Sequence, residues 1–211
     1  MLLPVNKDKY FSIPMSGQLC DGCCITLAWP EPYEFDLITV LRNLPNVRKW
    51  FLDDRLIDVV KNRIWLEHGM KRPTEAILSI RWKQDGSFLG TIGWSDWDLI
   101  SKTAWFGRLA VDTDATKKIR DKLPSDYGGV AIDAALALRD FAFISMGLDA
   151  ALTYYFSDNK LAELVNKSIG LLETRRVPRA SRDGFQIETV EMKMTRQQWE
   201  VYHIRGGKDD K

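Results

Sequence analysis

Residues 103–111 read TAWFGRLAV, and residues 127–145 read YGGVAIDAALALRDFAFIS. The first run is apolar and rich in β-favouring residues, which predicts a strand. The second opens on Gly128 and Gly129 and continues with helical spacing of apolar residues, which predicts an amphipathic helix. Glycines there let the backbone approach a ligand, and free N–H groups of a first helical turn attract an anion such as a pyrophosphate. A glycine pair is also typical of a plain flexible turn, so the flanking sequence decides between the two.

The segments around this pair alternate between strand and helix periodicity. Residues 75–82 and 88–94 predict two strands joined at the turn QDGS, and with residues 103–111 they predict an antiparallel meander. A polar loop is expected at 112–126. Further strands are predicted at 25–29, 150–156 and 185–194, and helices at 33–44, 47–52, 55–68, 130–145, 159–169 and 195–199. This order predicts a mixed α/β single domain.

The length and composition favour one globular domain. The chain has 211 residues, of which 45% are hydrophobic and 28% charged, so we expect a single domain over 1–211. Residues 1–18 are interpreted as an irregular leader and residues 205–211 as a flexible tail. The net charge of +1, from 30 basic and 29 acidic residues, argues against a general attraction to nucleic acid. With no apolar run of roughly 20 residues and no signal-peptide core, we expect a cytoplasmic protein with no membrane segment.

The three cysteines, Cys20, Cys23 and Cys24, do not predict a metal site. A zinc site needs about four ligands, often in two pairs, and the two histidines, His68 and His203, lack ligand spacing to the cysteines. An odd number of cysteines also argues against a disulfide framework. We therefore expect buried or free thiols and no metal.

Motifs spread along the chain form one set. They read LRNLPNVRKWF at 41–51, LGTIG at 89–93, AWFGRL at 104–109, SDNKLA at 157–162 and KSIG at 167–170, and MKMT at 192–195 precedes Trp199. In this order and spacing the chain resembles the Gcn5-related N-acetyltransferase (GNAT) superfamily, near its ribosomal-protein alanine and amino-sugar N-acetyltransferase branches. The resemblance runs from Ile25 to Trp199. It implies a GNAT-like α/β (α+β) fold, with a mixed, mostly antiparallel central sheet flanked by helices. It also implies an N-acyltransferase that uses acetyl-CoA or another acyl-CoA.

The resemblance also implies a coenzyme loop, with departures from the family pattern. The basic residue of that pattern is replaced by Gly128, its first glycine by Ala131, and a small residue by Asp133. Asp133 would oppose phosphates unless its side chain turns away, and the cluster Lys117, Lys118, Arg120 and Lys122 could supply positive charge, or could be an ordinary solvated loop. The implied coenzyme-binding residues are Leu109, Ala110, Val111, Lys117, Lys118, Gly128, Gly129, Val130, Ala131, Asn159 and Asn166.

The chemistry implied by the family is direct attack of an amine on the thioester. Backbone N–H groups near the end of the 103–111 strand would polarise the thioester carbonyl, and Asp96 or Asp98 would take the amine proton, unless both only form a turn. The tyrosine that often protonates the departing thiolate is replaced by Asn166. Tyr154, Tyr155 or Ser157 could substitute, but strand alternation lets only one of the two tyrosines face the coenzyme. Asn159 would orient the pantetheine arm or cap a helix. The implied catalytic residues are Asp96, Asp98, Tyr155 and Ser157.

The acceptor implied is a primary amine on a small molecule such as an amino sugar, with a protein N-terminus as the alternative within enzymes. Aromatic residues would form its pocket, which the family places between the early helices and the central strands. These residues are Trp29, Trp50, Phe51, Trp94 and Trp97. Two other classes stay open because of the departures from the motif: an acyl-CoA-binding sensor without turnover, and a partner-binding domain. A homodimer is compatible with the family.

Overall fold

The computed structural model describes residues 16–53, 55–69, 74–180 and 186–206. Its centre is an eight-stranded sheet in the order β1-β2-β3-β4-β5-β6-β8-β7. Neighbouring strands are antiparallel except β5 and β6, which are parallel. The strands are β1 Gln18–Asp21, β2 Ile25–Ala28, β3 Ala76–Trp82, β4 Phe88–Asp98, β5 Thr103–Val111, β6 Ala150–Phe156, β7 Leu172–Ala180 and β8 Gln186–Thr195.

Helices cover both faces of this sheet. One face packs against α5 in the main core, through residues such as Ala134, Leu138 and Phe141. The other face is covered by α1 and α3, where Phe35 and Leu66 form a second apolar cluster. The helices are α1 Glu34–Asn43, α2 Pro45–Arg48, α3 Val59–Gly69, α4 Thr113–Ile119, α5 Val130–Ile144, α6 Lys160–Ser168 and α7 Arg196–Gly206.

The predicted architecture is confirmed: the sheet is mixed and mostly antiparallel, and β3, β4 and β5 form the expected meander. The segment expected to be a polar loop instead contains α4, because Asp112 caps it by accepting hydrogen bonds from the backbone N–H groups of Asp114 and Ala115. A 3-10 turn, Arg120–Lys122, follows this helix. In the described ranges, no helix is long and apolar enough to cross a bilayer.

Three further differences lie near the chain ends. Strand β1 begins at Gln18, inside the expected leader, whose residues 1–15 lie outside the described ranges. Strand β7 was not predicted, because its charged side chains and Pro178 hide the strand pattern; both features are typical of the edge strand that it is. Helix α7 continues through Gly206, so the first two residues of the expected tail are helical, and residues 207–211 lie outside the described part.

Two glycines face each other in the β4–β5 ladder and have opposite surroundings. Gly93 pairs with Gly107. A Cβ on Gly93 would lie 2.0 Å from the carbonyl oxygen of Ala76 in β3, whereas a Cβ on Gly107 would meet no atom within 4 Å. Gly93 is therefore required by the close approach of β3, while Gly107 borders open space.

We expect Gly93→Ala to lower the free energy of unfolding by about 1–3 kcal/mol, because the added methyl group forces the β3 backbone to move. Gly107→Ala, at the paired position, is the control and should change it by no more than about 0.5 kcal/mol. Chemical denaturation of both variants measures the difference. Equal stability of the two would contradict the close approach at Gly93.

Candidate functional site

Strands β5 and β6 separate after a short parallel contact. They pair only over Thr103–Trp105 and Ala150–Leu152, and β6 continues as the partner of β8 as far as Phe156. Where the pairing ends, the hydroxyl of Thr153 donates a hydrogen bond of 2.9 Å to the carbonyl oxygen of Phe106. The divergence leaves a V-shaped opening in the middle of the sheet, along the second half of β5.

A β-bulge shapes β5 beside this opening. Gly107 pairs with Gly93 and Ala110 pairs with Thr91, so Arg108 and Leu109 together face one residue of β4. Arg108 has a φ of 57°, and its carbonyl oxygen accepts a 2.8 Å hydrogen bond from the hydroxyl of Thr91. A bulge turns backbone groups out of the regular ladder. Of the three residues predicted to polarise a thioester, Leu109 lies in the bulge, whereas Ala110 and Val111 are back in register.

A cavity of about 610 Å³ begins where β5 ends. Its walls come from the end of β5, from α4 and the turn after it, and from the segment that leads into α5. Two cationic side chains lie in this wall, Lys117 and Arg120, while Lys118 and Lys122 do not line it. The lining residues are Val111, Thr113, Thr116, Lys117, Arg120, Leu123, Pro124, Ser125, Tyr127 and Gly129.

The cavity contains the start of α5, as the glycine pair predicted. Gly129 is the residue before the helix, with a φ of 105°, a conformation that favours glycine. Val130 and Ala131 are the first two residues of α5, and Gly128 lies two residues before the helix. The free N–H groups of this first turn give the region a positive character that suits a phosphate.

The side chain of Asp133 turns away from the cavity, which answers the question raised by the sequence. Its carboxylate is 6% exposed and accepts hydrogen bonds from the backbone N–H groups of Cys23 at 2.6 Å and Cys24 at 2.8 Å. The hydroxyl of Tyr127 donates a third bond of 2.9 Å. Burial, and then this bond to the carboxylate, raises the pKa of Tyr127. Asp133 thus ties the cavity wall to the loop between β1 and β2.

The two tyrosines of β6 lie on opposite faces of the sheet. Tyr155 is 5% exposed and belongs to the core on the α5 face, where burial raises its pKa. Tyr154 is 39% exposed and makes an edge contact with Trp105, with ring centroids 5.9 Å apart. Of the two, Tyr155 is therefore a core residue, and Tyr154 lies at the surface of the opposite face. Ser157 follows the end of β6, and its backbone N–H donates a hydrogen bond to the backbone carbonyl oxygen of Glu188.

The two aspartates predicted as bases differ in their surroundings, and only Asp98 is held in a turn. The carboxylate of Asp98 accepts 2.8 Å bonds from the N–H of Ile100 and the hydroxyl of Ser101. The Ser101 bond is the main reason that the pKa of Asp98 is lowered. Asp98 therefore forms the β4–β5 turn, at the end of β5 opposite to the cavity. Asp96 is exposed, with a φ of 52° at an irregularity in β4.

The two asparagines implied by the resemblance both belong to the α6 region. The side chain of Asn159 caps α6 by accepting a 3.1 Å bond from the N–H of Ala162. A helix cap was one of the two roles expected for Asn159, the other being to orient the pantetheine arm. Asn166 lies within α6 and is half-buried.

Three of the predicted acceptor tryptophans lie in the core, which corrects the sequence-based assignment. Trp29 and Trp94 are 2% and 1% exposed, and Trp94 stacks on Phe141 of α5 at 6.3 Å. Trp97 is 3% exposed in the same cluster. Trp94 of β4 thus contacts α5 directly, and Trp29, just after β2, makes an edge contact with Trp94 at 6.2 Å. Trp50 and Phe51 follow α2 and are half-buried, with cationic side chains over both rings.

Sequence reasoning missed a polar group that lies across the meander. The guanidinium of Arg108, on the bulge, forms an ion pair with Glu75, just before β3, and lies 5.0 Å from the ring of Trp65 in α3. Strand β4 separates the two partners and has no side chain at Gly93. No sequence signal connects residues 33 positions apart before the strand register is known. These residues, with Trp105 and the open space at Gly107, border the opening on the face covered by α1 and α3.

No protein-family model and no curated protein matches this sequence. Solved structures do match. Spermidine N-acetyltransferase from Vibrio cholerae, in complex with CoA and spermine, has a TM-score of 0.71 at 13% identity, over 83% of this chain and 97% of that chain. Microcin C7 self-immunity acetyltransferase MccE, in complex with acetyl-CoA and AMP, gives 0.67 at 16% identity, over 88% and 99%. Apo FdhC, a nucleotide-linked sugar GNAT, gives 0.66 at 15% identity, over 89% and 95%. The fold of this chain is the GNAT fold, as its motifs predicted.

Proposed function

We propose that this protein is an N-acyltransferase that moves an acetyl group from acetyl-CoA to a primary amine of a small molecule. The observation that carries the proposal is the cavity at the start of α5, next to the opening between β5 and β6, with Lys117 and Arg120 in its wall. An anion can there meet both free helix N–H groups and two cations. Two of the solved neighbours are complexes with CoA or acetyl-CoA, which supports the same use here.

Under this proposal the coenzyme diphosphate occupies the cavity and the thioester lies in the opening between the strands. Backbone N–H groups of the β5 bulge, Leu109 first, stabilise the negative charge that develops on the thioester oxygen. The amine approaches from the face covered by α1 and α3, attacks the carbonyl carbon and expels the thiolate of coenzyme A. The amine proton passes to a carboxylate or an ordered water. Asp96 remains the candidate for that carboxylate, together with Glu75 beside the bulge.

A charge reversal in the cavity tests coenzyme binding. We expect Lys117→Glu with Arg120→Glu to weaken acetyl-CoA affinity at least about tenfold, because two charge-assisted contacts become repulsive. Since both side chains are exposed, the difference from the wild type should shrink as salt rises. Calorimetric titration at low and moderate salt measures both effects.

Lys118→Glu provides the matched control. Lys118 follows Lys117 in α4, between the two altered positions in sequence, and does not line the cavity. It should therefore leave the affinity close to that of the wild type. Equal loss in this variant would mean that net charge, rather than the cavity, controls binding.

The side chains on the face proposed to receive the acceptor favour a small amine over a protein N-terminus. Trp105 and Tyr154 offer aromatic edges, and Glu75 offers a carboxylate beside the bulge, a combination that suits a ring or an aliphatic amine. A screen of amino sugars, polyamines and N-terminal peptides, read out by thiol release, tests the class. Tight acetyl-CoA binding without turnover of any amine would favour the sensor instead. The predicted cytoplasmic location and homodimer are part of the same proposal.

A further inference from the structure

Two neighbouring thiols lie in the loop between β1 and β2. The Sγ atoms of Cys23 and Cys24 are 3.8 Å apart. Cys23 is exposed and Cys24 is half-buried. The two residues are adjacent in sequence, so any ring that joins their sulfur atoms must contain the peptide unit between them.

That same peptide unit holds Asp133. The N–H of Cys24 belongs to it and donates to the Asp133 carboxylate at 2.8 Å, next to the 2.6 Å bond from the N–H of Cys23. Gly22 fits closely here, since a Cβ on it would lie 2.2 Å from Oδ1 of Asp133. The carboxylate therefore sits in a narrow pocket made by the backbone of the two cysteines.

We propose that Cys23 and Cys24 are a thiol-modification site, where exchange with a low-molecular-weight disulfide closes a vicinal disulfide ring that releases Asp133 and weakens coenzyme binding. The thiolate of Cys23 attacks the external disulfide, forms a mixed disulfide and releases one thiol. The thiolate of Cys24 then attacks the Cys23 sulfur and releases the second thiol. Two S–H bonds are lost, one protein S–S bond forms, and the external disulfide is reduced to two thiols.

The order of the two steps follows from exposure. Cys23 is the more exposed sulfur, and burial raises the pKa of the Cys24 thiol. The closing step must shorten the distance between the sulfur atoms from 3.8 Å to about 2.05 Å. Rotation of the intervening peptide allows this, and the rotation moves the N–H of Cys24 away from Asp133.

The change reaches the coenzyme site through Asp133. Its carboxylate also accepts the hydroxyl of Tyr127, and Tyr127 lines the cavity beside Gly129. A carboxylate without its backbone donors becomes a buried charge in need of new partners. Its relaxation shifts Tyr127 and the first turn of α5, which carries the groups proposed to bind phosphate. This effect on affinity rests on the proposed function, whereas ring closure does not.

The third cysteine supplies a matched control. Cys20 lies in β1, is half-buried against the core, and its thiol donates to the carbonyl oxygen of Ala137 at 3.7 Å. Burial raises its pKa to about 12. Cys20→Ser should therefore leave the response to external disulfide unchanged, whereas Cys23→Ser should abolish it.

The experiment treats the full chain with oxidised glutathione and then removes the reagent. Mass spectrometry should find the loss of two hydrogens, located in the peptide that contains Cys23 and Cys24. Calorimetry should show acetyl-CoA affinity about tenfold weaker, restored by a reducing agent and unaffected by Cys20→Ser. The proposal is wrong if the treated protein carries only glutathione adducts. It is also wrong if the ring forms and the acetyl-CoA affinity equals that of the untreated dithiol protein.

A second measurement separates this proposal from the proposed function. Hydrogen exchange of the backbone amides at 129–133 should become faster in the oxidised protein, whether or not a coenzyme is bound. If reduced protein binds no acyl-CoA but exchange still increases, the acyltransferase proposal fails and the dithiol proposal stands. If exchange is unchanged on ring closure, the link through Asp133 is absent.

Discussion

Replacing Glu34 by alanine lowers the free energy of unfolding by an expected 3–5 kcal/mol, roughly the cost of leaving one partner of a buried ion pair alone. Glu34 is fully buried, at 0% exposure. Its two carboxylate oxygens accept bonds of 2.8 and 2.7 Å from the guanidinium of Arg81 in β3, and a third bond comes from the hydroxyl of Ser79. The bond to Glu34 raises the pKa of Arg81. The pair joins α1 to the sheet on the face proposed to receive the acceptor.

Two further variants distinguish the loss of the ion pair from the general effect of a substitution in this region. Denaturation in urea measures the free energy of unfolding of every variant. Glu31→Ala removes an exposed side chain three residues before Glu34 but keeps the backbone N–H that donates to the Glu34 carboxylate, so it should stay within about 0.5 kcal/mol of the wild type. The double variant Glu34→Leu with Arg81→Met should recover most of the loss, because an apolar pair of similar size removes both charges together. A single variant Glu34→Ala that costs less than about 1 kcal/mol would show that water reaches the pair.

The strands and helices with clear periodicity could be predicted from the sequence, because local pattern determines them. The meander β3–β5 and helix α5 are such elements. Strand β7 could not, because an edge strand needs little apolar surface and its charged residues pair along the strand, as Arg176 does with Glu173. Helix α4 is short and polar, and it depends on the Asp112 cap more than on an apolar face.

The candidate site shows the same division. The glycine pair predicted where α5 begins, beside the cavity, because its conformation is local: Gly129 has the positive φ that a glycine favours. The acceptor residues could not be located this way. Whether a tryptophan such as Trp94 faces α5 or the opposite side depends on the register of its strand, which follows from the whole sheet. The two backbone N–H groups that bind Asp133, those of Cys23 and Cys24, lie 110 and 109 positions away along the chain. The direction of the Asp133 side chain therefore could not be predicted from local sequence either.

The open space at Gly107 gives a direct test of the site. We expect Gly107→Trp to reduce kcat/KM for the amine by at least about a hundredfold, because the indole fills the opening beside the bulge and misplaces the acceptor. The fold should survive, since a Cβ at this position meets no atom within 4 Å. Coenzyme affinity should change far less than turnover, because the cavity proposed to hold the phosphates begins at Val111, four residues after Gly107 in β5.

Two controls decide what a loss of turnover in Gly107→Trp means. Gly107→Ala adds one methyl group to the same space and should keep most of the activity. Leu172→Trp adds the same ring at an exposed position of the edge strand and should keep nearly all of it. Thermal unfolding must show that the Gly107→Trp variant is folded. A folded variant with wild-type turnover would mean that the amine does not approach through this opening, and the acceptor site would then have to lie on the face of α5.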